Sequence, residues 1–106
     1  MNIIKRSADE RKELMHGIFK TDKVRTDFLE VIELEIVTGS ALKPHDMPCR
    51  VAFYVLEGTG TFVYGDRIET LNAGDMLEVS PGVLRHWSND SDHILRVLVI
   101  KSLKEK

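Results

Sequence analysis

Residues able to do chemistry are few in this chain and fall in two places. His45, Met47 and Cys49 occupy alternate positions, so on an extended segment their side chains share one face. An imidazole beside a thioether and a thiol suits a soft ion such as Cu(I). Residues such as Met47 and Cys49 are more usually core fillers, and Pro44 and Pro48 disfavour regular strand pairing around them. The second place is Leu84-Arg85-His86-Trp87. Strict alternation puts Arg85 and Trp87 on one face and Leu84 and His86 on the other, and only a β-bulge would turn His86 to the Arg85 side. An imidazole at His45 or His86 can act as general acid/base or metal ligand. His16 and His93 fall at element edges and read as solvent-facing or locally bonded, whereas Asp66, Arg67 and Asp75 follow glycines and read as turn formers. Tyr54 and Tyr64 belong to strands. No complete acid–base pair and no nucleophile with its base is evident.

The chain around these residues has the length of one domain, 106 residues, of which 42% are hydrophobic and 30% charged. That balance supports a single soluble core and excludes a wholly disordered chain. Fifteen basic against seventeen acidic residues leave a net charge of −2, which gives no electrostatic reason to expect a nucleic-acid partner. The apolar runs, Val51–Leu56 and Val97-Leu98-Val99-Ile100 among them, are strand-sized, and the N-terminus is polar from Lys5 onward. No membrane span and no signal-peptide core is therefore expected. Cys49 is alone and forms no internal disulfide, so the expected setting is the cytoplasm.

Alternation and turn residues define the elements. Phe28–Val37 carries Phe28, Ile32, Leu34 and Ile36 on one parity and Glu33 and Glu35 on the other, as in a strand with one wet face. Runs at Val51–Leu56, Thr61–Tyr64, Arg67–Leu71, Met76–Val79, Leu84–Ser88 and His93–Lys101 follow, separated by Gly, Asn, Asp and Pro clusters. Many short strands with frequent turns predict an all-β sandwich or barrel. One helix is expected over Ser7–Met15, with Ser7 as N-cap, Glu10 completing a capping box and Gly17 as the stop. The expected layout is a single domain over 1–106, with a helical segment in 1–20 and the barrel in 28–101.

The segment from Gly39 to Asn89 resembles the cupin superfamily, whose members are small double-stranded β-helix (jelly-roll) barrels. Gly39, His45 and Gly58 fall at the spacing of the family's first motif, G-x5-H-x-H-x3-E-x6-G, and Gly74, Gly82 and Asn89 at that of its second, G-x5-P-x-G-x2-H-x3-N. In metal-binding cupins the His and Glu positions of these motifs point inward and hold one metal ion. Carried over, those positions are His45, Met47, Val51 and Arg85. Met is a weak donor, Val is none, and a guanidinium repels a cation. The resemblance thus implies the fold with a degenerate metal site and no resident cofactor. An inward Arg85 could not stay unpaired in an apolar barrel, and Val51 stands where the family has its carboxylate.

The expected function is the binding of a small anionic or sugar-like molecule by His45, Met47, Val51, Arg85 and Trp87. The guanidinium fork would take a carboxylate, phosphate or sugar acid. The alternative is a metal-dependent enzyme of the dioxygenase or isomerase kind, holding a divalent transition metal with His45, His86 and sulfur ligands. A metal-independent enzyme with His45 as general acid/base, like the sugar-nucleotide epimerases of this fold, and a purely structural scaffold complete the set. Leu29, Val31 and Val37, on the Glu parity of their strand, would be exposed in a monomer, which together with the family habit implies a homodimer.

Overall fold

The computed structural model describes residues 1–6 and 10–103. Among the described residues nine strands follow one another: β1 (Arg11–Met15), β2 (Ile18–Arg25), β3 (Leu29–Ile36), β4 (Arg50–Glu57), β5 (Thr59–Tyr64), β6 (Arg67–Asn72), β7 (Met76–Val79), β8 (Arg85–Ser88) and β9 (Leu95–Ser102). They form a six-stranded sheet in the order β1-β2-β3-β9-β4-β7 and a three-stranded sheet in the order β6-β5-β8, antiparallel at every pairing. The sheets face each other as the two walls of a double-stranded β-helix. Among the described residues no helix is long and apolar enough to cross a membrane.

Register decides which side chains enter the roll. In β3 and β9, Ile32 opposes Val99, Leu34 opposes Val97 and Ile36 opposes Leu95, and all six are buried. Val51, Phe53 and Val55 of β4 continue that face. Phe62 and Trp87 close it from the other sheet, with ring centroids 5.0 Å apart and each 5.6 Å from Phe53 in tilted or edge-on geometry. Full burial of each such side chain contributes about 2–3 kcal/mol. Gly60 is required by this packing, because a Cβ there would lie 2.6 Å from Leu95 Cδ2 and 2.8 Å from Trp87 Cζ3.

Two expectations from sequence are overturned. The N-terminal helix over Ser7–Met15 is not formed: Arg11–Met15 is β1, paired with β2, while Ser7, Ala8 and Asp9 lie outside the described residues. Gly17, with φ of 81°, turns the β1–β2 hairpin instead of ending a helix. Side-chain contacts across strands outweigh the local capping signal: the Arg11 guanidinium stacks 3.7 Å from the Phe19 ring centroid and bridges Glu35 at 3.2 Å. Within the segment 1–20 assigned to a helix, the described residues from Arg11 onward form β1 and the start of β2.

The second correction concerns the outer face of β3. Glu33 is only 7% exposed, and Leu29, Val31 and Val37 are half-buried rather than open. Arg96, on the outer face of β9, covers Glu33 with two hydrogen bonds, Nε to Oε2 at 3.1 Å and Nη2 to Oε1 at 2.9 Å. A bulge between Val55 and Glu57 sets Glu57 opposite Arg96, and Nη1 donates to Glu57 Oε1 at 3.2 Å.

Candidate functional site

β8 carries the centre of the site. Its residues alternate as the pleat requires: Arg85 and Trp87 are buried inside the roll, and His86 and Ser88 face the other way, opposite Val63 and Thr61 of β5. The free edge of β8 is held by the irregular segment 39–47. His45 N–H donates to the Arg85 carbonyl at 3.0 Å, Arg85 N–H returns the bond at 2.9 Å, and Leu42 N–H donates to the Trp87 carbonyl at 3.0 Å. Pro44 has no N–H to continue the ladder, which leaves isolated bridges at Ala41 and His45 instead of a strand. Asn89, fully buried, pegs the end of β8. Its Nδ2 donates to the Ile36 and His93 carbonyls, both at 2.8 Å, and its Oδ1 accepts from Ser91 N–H at 3.0 Å and Ser91 Oγ at 2.7 Å. All four hydrogen-bonding positions of that amide are used.

The framework encloses a cavity of about 130 Å³ whose wall includes Arg85, Trp87, His45, Met47, Phe53 and Lys101. Arg85 is 3% exposed. Its Nη1 donates to the His45 carbonyl at 3.2 Å, and its guanidinium carbon lies 5.8 Å from the Phe53 ring centroid. Among the described residues its buried Nε–H has no hydrogen-bond partner, and neither has the Nε1–H of Trp87, itself only 2% exposed. Among the described residues no carboxylate comes within ion-pairing distance of Arg85. Burial pushes the Arg85 pKa below the usual arginine range, an effect that the charges of Cys49 and Asp46 partly offset.

Lys101 is the site residue that sequence reasoning missed. It opposes Val51 across the β4–β9 ladder and shares the inward parity of Leu95, Val97 and Val99, so the alternation of β9 already held the signal. Its ammonium lies 3.1 Å from Glu30 Oε1. Burial lowers its pKa first, the Cys49 charge opposes that, and the nearby cations Lys20, Arg85 and Arg25 lower it further.

The remaining candidates are more dispersed. His45 lines the cavity from an exposed position, with Nδ1 3.1 Å from the Lys43 carbonyl oxygen. His86 touches the rim of the same cavity although its strand position faces away from Arg85. Met47 and Cys49 are half-buried against the core cluster, and Val51 is buried within it. His16 is exposed in the β1–β2 turn, and His93 is exposed 3.4 Å from Asp92. A second cavity of about 400 Å³ opens between the edges of β6 and β7, where Tyr64, Glu69, Leu77 and Val79 line it. Phe62 is a wall common to both cavities.

The positions at which cupins hold a metal do not fit one here. His45 is the single imidazole among them, Met47 is a weak donor, Val51 offers none, and Arg85 places a fixed positive charge where a ligand would be needed. Among the described residues no three His, Cys, Asp or Glu side chains gather so that they could hold a metal ion.

The paired sheets, their strand order and the inward row on β8 define a double-stranded β-helix barrel. The sequence profile of the cupin domain family matches residues 32–101, and the chain belongs to that family. No curated protein matches the sequence. Solved structures share the fold at low identity. KdgF from Halomonas sp. is 13% identical with a TM-score of 0.86, the match covering 99% of this chain and 96% of that one. An RmlC-like cupin from Shewanella frigidimarina is 18% identical with a TM-score of 0.81, covering 92% and 86%. The polyketide cyclase RemF from Streptomyces resistomycificus is 20% identical with a TM-score of 0.80, covering 96% and 81%. Similarity at this level establishes architecture and leaves function to the site.

Proposed function

We propose that this cupin binds a small anionic molecule, such as a carboxylate, a phosphate or a sugar acid, inside the barrel without a metal ion, in a cytoplasmic setting. One observation carries the reading. Arg85 Nε–H and Trp87 Nε1–H, two residues apart on the inner face of β8, are buried donors without partners among the described residues, and both side chains line one cavity. A buried unsatisfied donor costs about 1–3 kcal/mol, more when charged. An oxyanion accepting from both would recover that cost and supply the counter-charge Arg85 lacks. The test is thermal unfolding in the presence of small carboxylates and phosphate. Saturating anion raises the melting temperature of the wild type and leaves Arg85→Met unmoved; equal shifts in both proteins would contradict the reading.

An enzymatic reading is favoured by one feature, the position of His45 on the cavity wall, where a general acid/base would meet the bound molecule. RemF, named as a polyketide cyclase, is an enzyme on this architecture. Turnover lost in His45→Gln while anion binding persists would support it. We also propose a homodimer formed through the outer face of the six-stranded sheet, where Val31, Ala52, Tyr54, Leu98 and Ile100 lie half-buried beside the Arg96 ion pairs. Sedimentation velocity at micromolar concentration checks it, and a single species of monomer mass would overturn it.

A further inference from the structure

Among the described residues, the wall of the 130 Å³ cavity carries two cations, Arg85 and Lys101, two imidazoles, and no carboxylate. The cations come from different sheets: Arg85 from β8 in the three-stranded sheet and Lys101 from β9 in the six-stranded one. Lys101 is not fully neutralised where it stands. Its partner Glu30 also accepts from Arg25, so one carboxylate serves two cations. An ammonium has three donors, and the pairing with Glu30 uses one of them. Asp46 is felt electrostatically by Arg85 but is exposed and outside ion-pairing distance. Cys49, half-buried near both cations, is a thiol and not a carboxylate. With Glu30 counted against Lys101, the described residues around the cavity still carry more positive than negative charge, with one cation on each of the two facing sheets.

We propose that Arg85 and Lys101 form a two-point receptor for a compact dianion, one negative group resting on the Arg85 guanidinium and Trp87 indole N–H, the other on the Lys101 ammonium. This rests on the anion-binding reading above and sharpens it: a monoanion satisfies Arg85 alone, whereas a dicarboxylate satisfies both walls. The apolar remainder of the lining, with Phe53, Phe62 and Val99, suits a short hydrocarbon link between the charged ends. Two opposed charged walls also select by length, because a link too short or too long leaves one ionic group desolvated and unpaired.

The experiment is calorimetric titration of the full chain at constant ionic strength with acetate, malonate, succinate and inorganic phosphate. The proteins are the wild type, Lys101→Met and Arg85→Met, with Lys101→Gln as a second variant should the methionine disturb folding. The wild type is expected to bind the better dicarboxylate at least tenfold more tightly than acetate. Lys101→Met should bring that dicarboxylate down to the acetate level and leave acetate itself unchanged, while Arg85→Met loses both. Phosphate binding that equals the dicarboxylate and also depends on Lys101 supports the dianion receptor with both charges on one group. Acetate and dicarboxylate binding alike in the wild type, or falling equally in Lys101→Met, overturns the two-point receptor and leaves the Arg85 reading intact. Acetate and succinate that both fail to bind, or that bind Arg85→Met as well as the wild type, overturn both.

Discussion

Two arginines show how the same side chain is used on the two sides of the barrel wall. Arg96 lies on the outer face of β9, where Glu33 receives two of its N–H groups and Glu57 a third. Its pKa is raised, chiefly by the hydrogen bonds to Glu33. Arg85 lies on the inner face of β8 with a carbonyl and an aromatic ring for company, and burial lowers its pKa. Desolvation acts on both; the difference is whether the fold supplies the counter-charge. Where it does, the arginine is part of the architecture. Where it does not, a buried guanidinium destabilises the free protein and is a receptor for whatever anion can reach it.

The contrast makes unequal demands on stability, and the largest effect belongs to the outer pair. Glu33→Ala leaves Arg96 with Glu57 alone on a largely covered face and is expected to lower unfolding free energy by roughly 2–3 kcal/mol in urea titration. Substituting both partners, Glu33→Leu with Arg96→Met, should recover most of that loss. Asn89→Ala unseats the end of β8 by leaving the Ile36 and His93 carbonyls without their donor, for a loss of about 2 kcal/mol by the same measurement and weaker anion binding as Arg85 shifts.

Arg85→Met should behave in the opposite sense to Glu33→Ala. Removing a buried charge without a counter-charge is expected to leave the free protein as stable as the wild type, or up to about 1 kcal/mol more stable, while abolishing anion-induced stabilisation. A loss comparable to that of Glu33→Ala would mean that Arg85 is as structural as Arg96, and the contrast would dissolve. Trp87→Phe keeps an aromatic ring against Phe53 and Phe62 but removes the indole N–H together with part of the bicyclic ring, leaving a void in the core. Stability should fall by roughly 1–2 kcal/mol through that void, and anion affinity should fall several-fold, as read by calorimetry.

Much of this was legible in the residues before any coordinates. The run Phe28–Val37 and its successors reappear as β3 to β9, with ends differing by a residue or two, because alternation and turn residues are local signals. The inward pairing of Arg85 with Trp87 followed from alternation anchored at Gly82 and Asn89. The prolines at 44 and 48 correctly foretold an irregular segment around His45. What was not legible depended on partners distant in sequence. A capping pattern near Ser7 could not reveal that Arg11 stacks on Phe19 and bridges Glu35. The alternation of Glu33 and Glu35 reads as a wet face until Arg96, brought alongside by the β3–β9 register, covers it. Lys101 opens the charged stretch after Val97–Ile100 and reads as part of a tail, although the alternation of β9 held its inward parity; its pairing opposite Val51 and its contact with Glu30 come only from the fold.

The central claim is that Arg85 is a buried receptor awaiting an anion, and thermal unfolding of the wild type and Arg85→Met with and without saturating succinate tests it most directly. Ligand at a hundredfold its dissociation constant stabilises a native state by about 2.7 kcal/mol, which for a domain of this size raises the melting temperature by roughly 10 °C. The expected result is a rise of that order in the wild type and none in Arg85→Met. A wild type indifferent to succinate and every other small anion, or a variant that responds equally, would contradict the account.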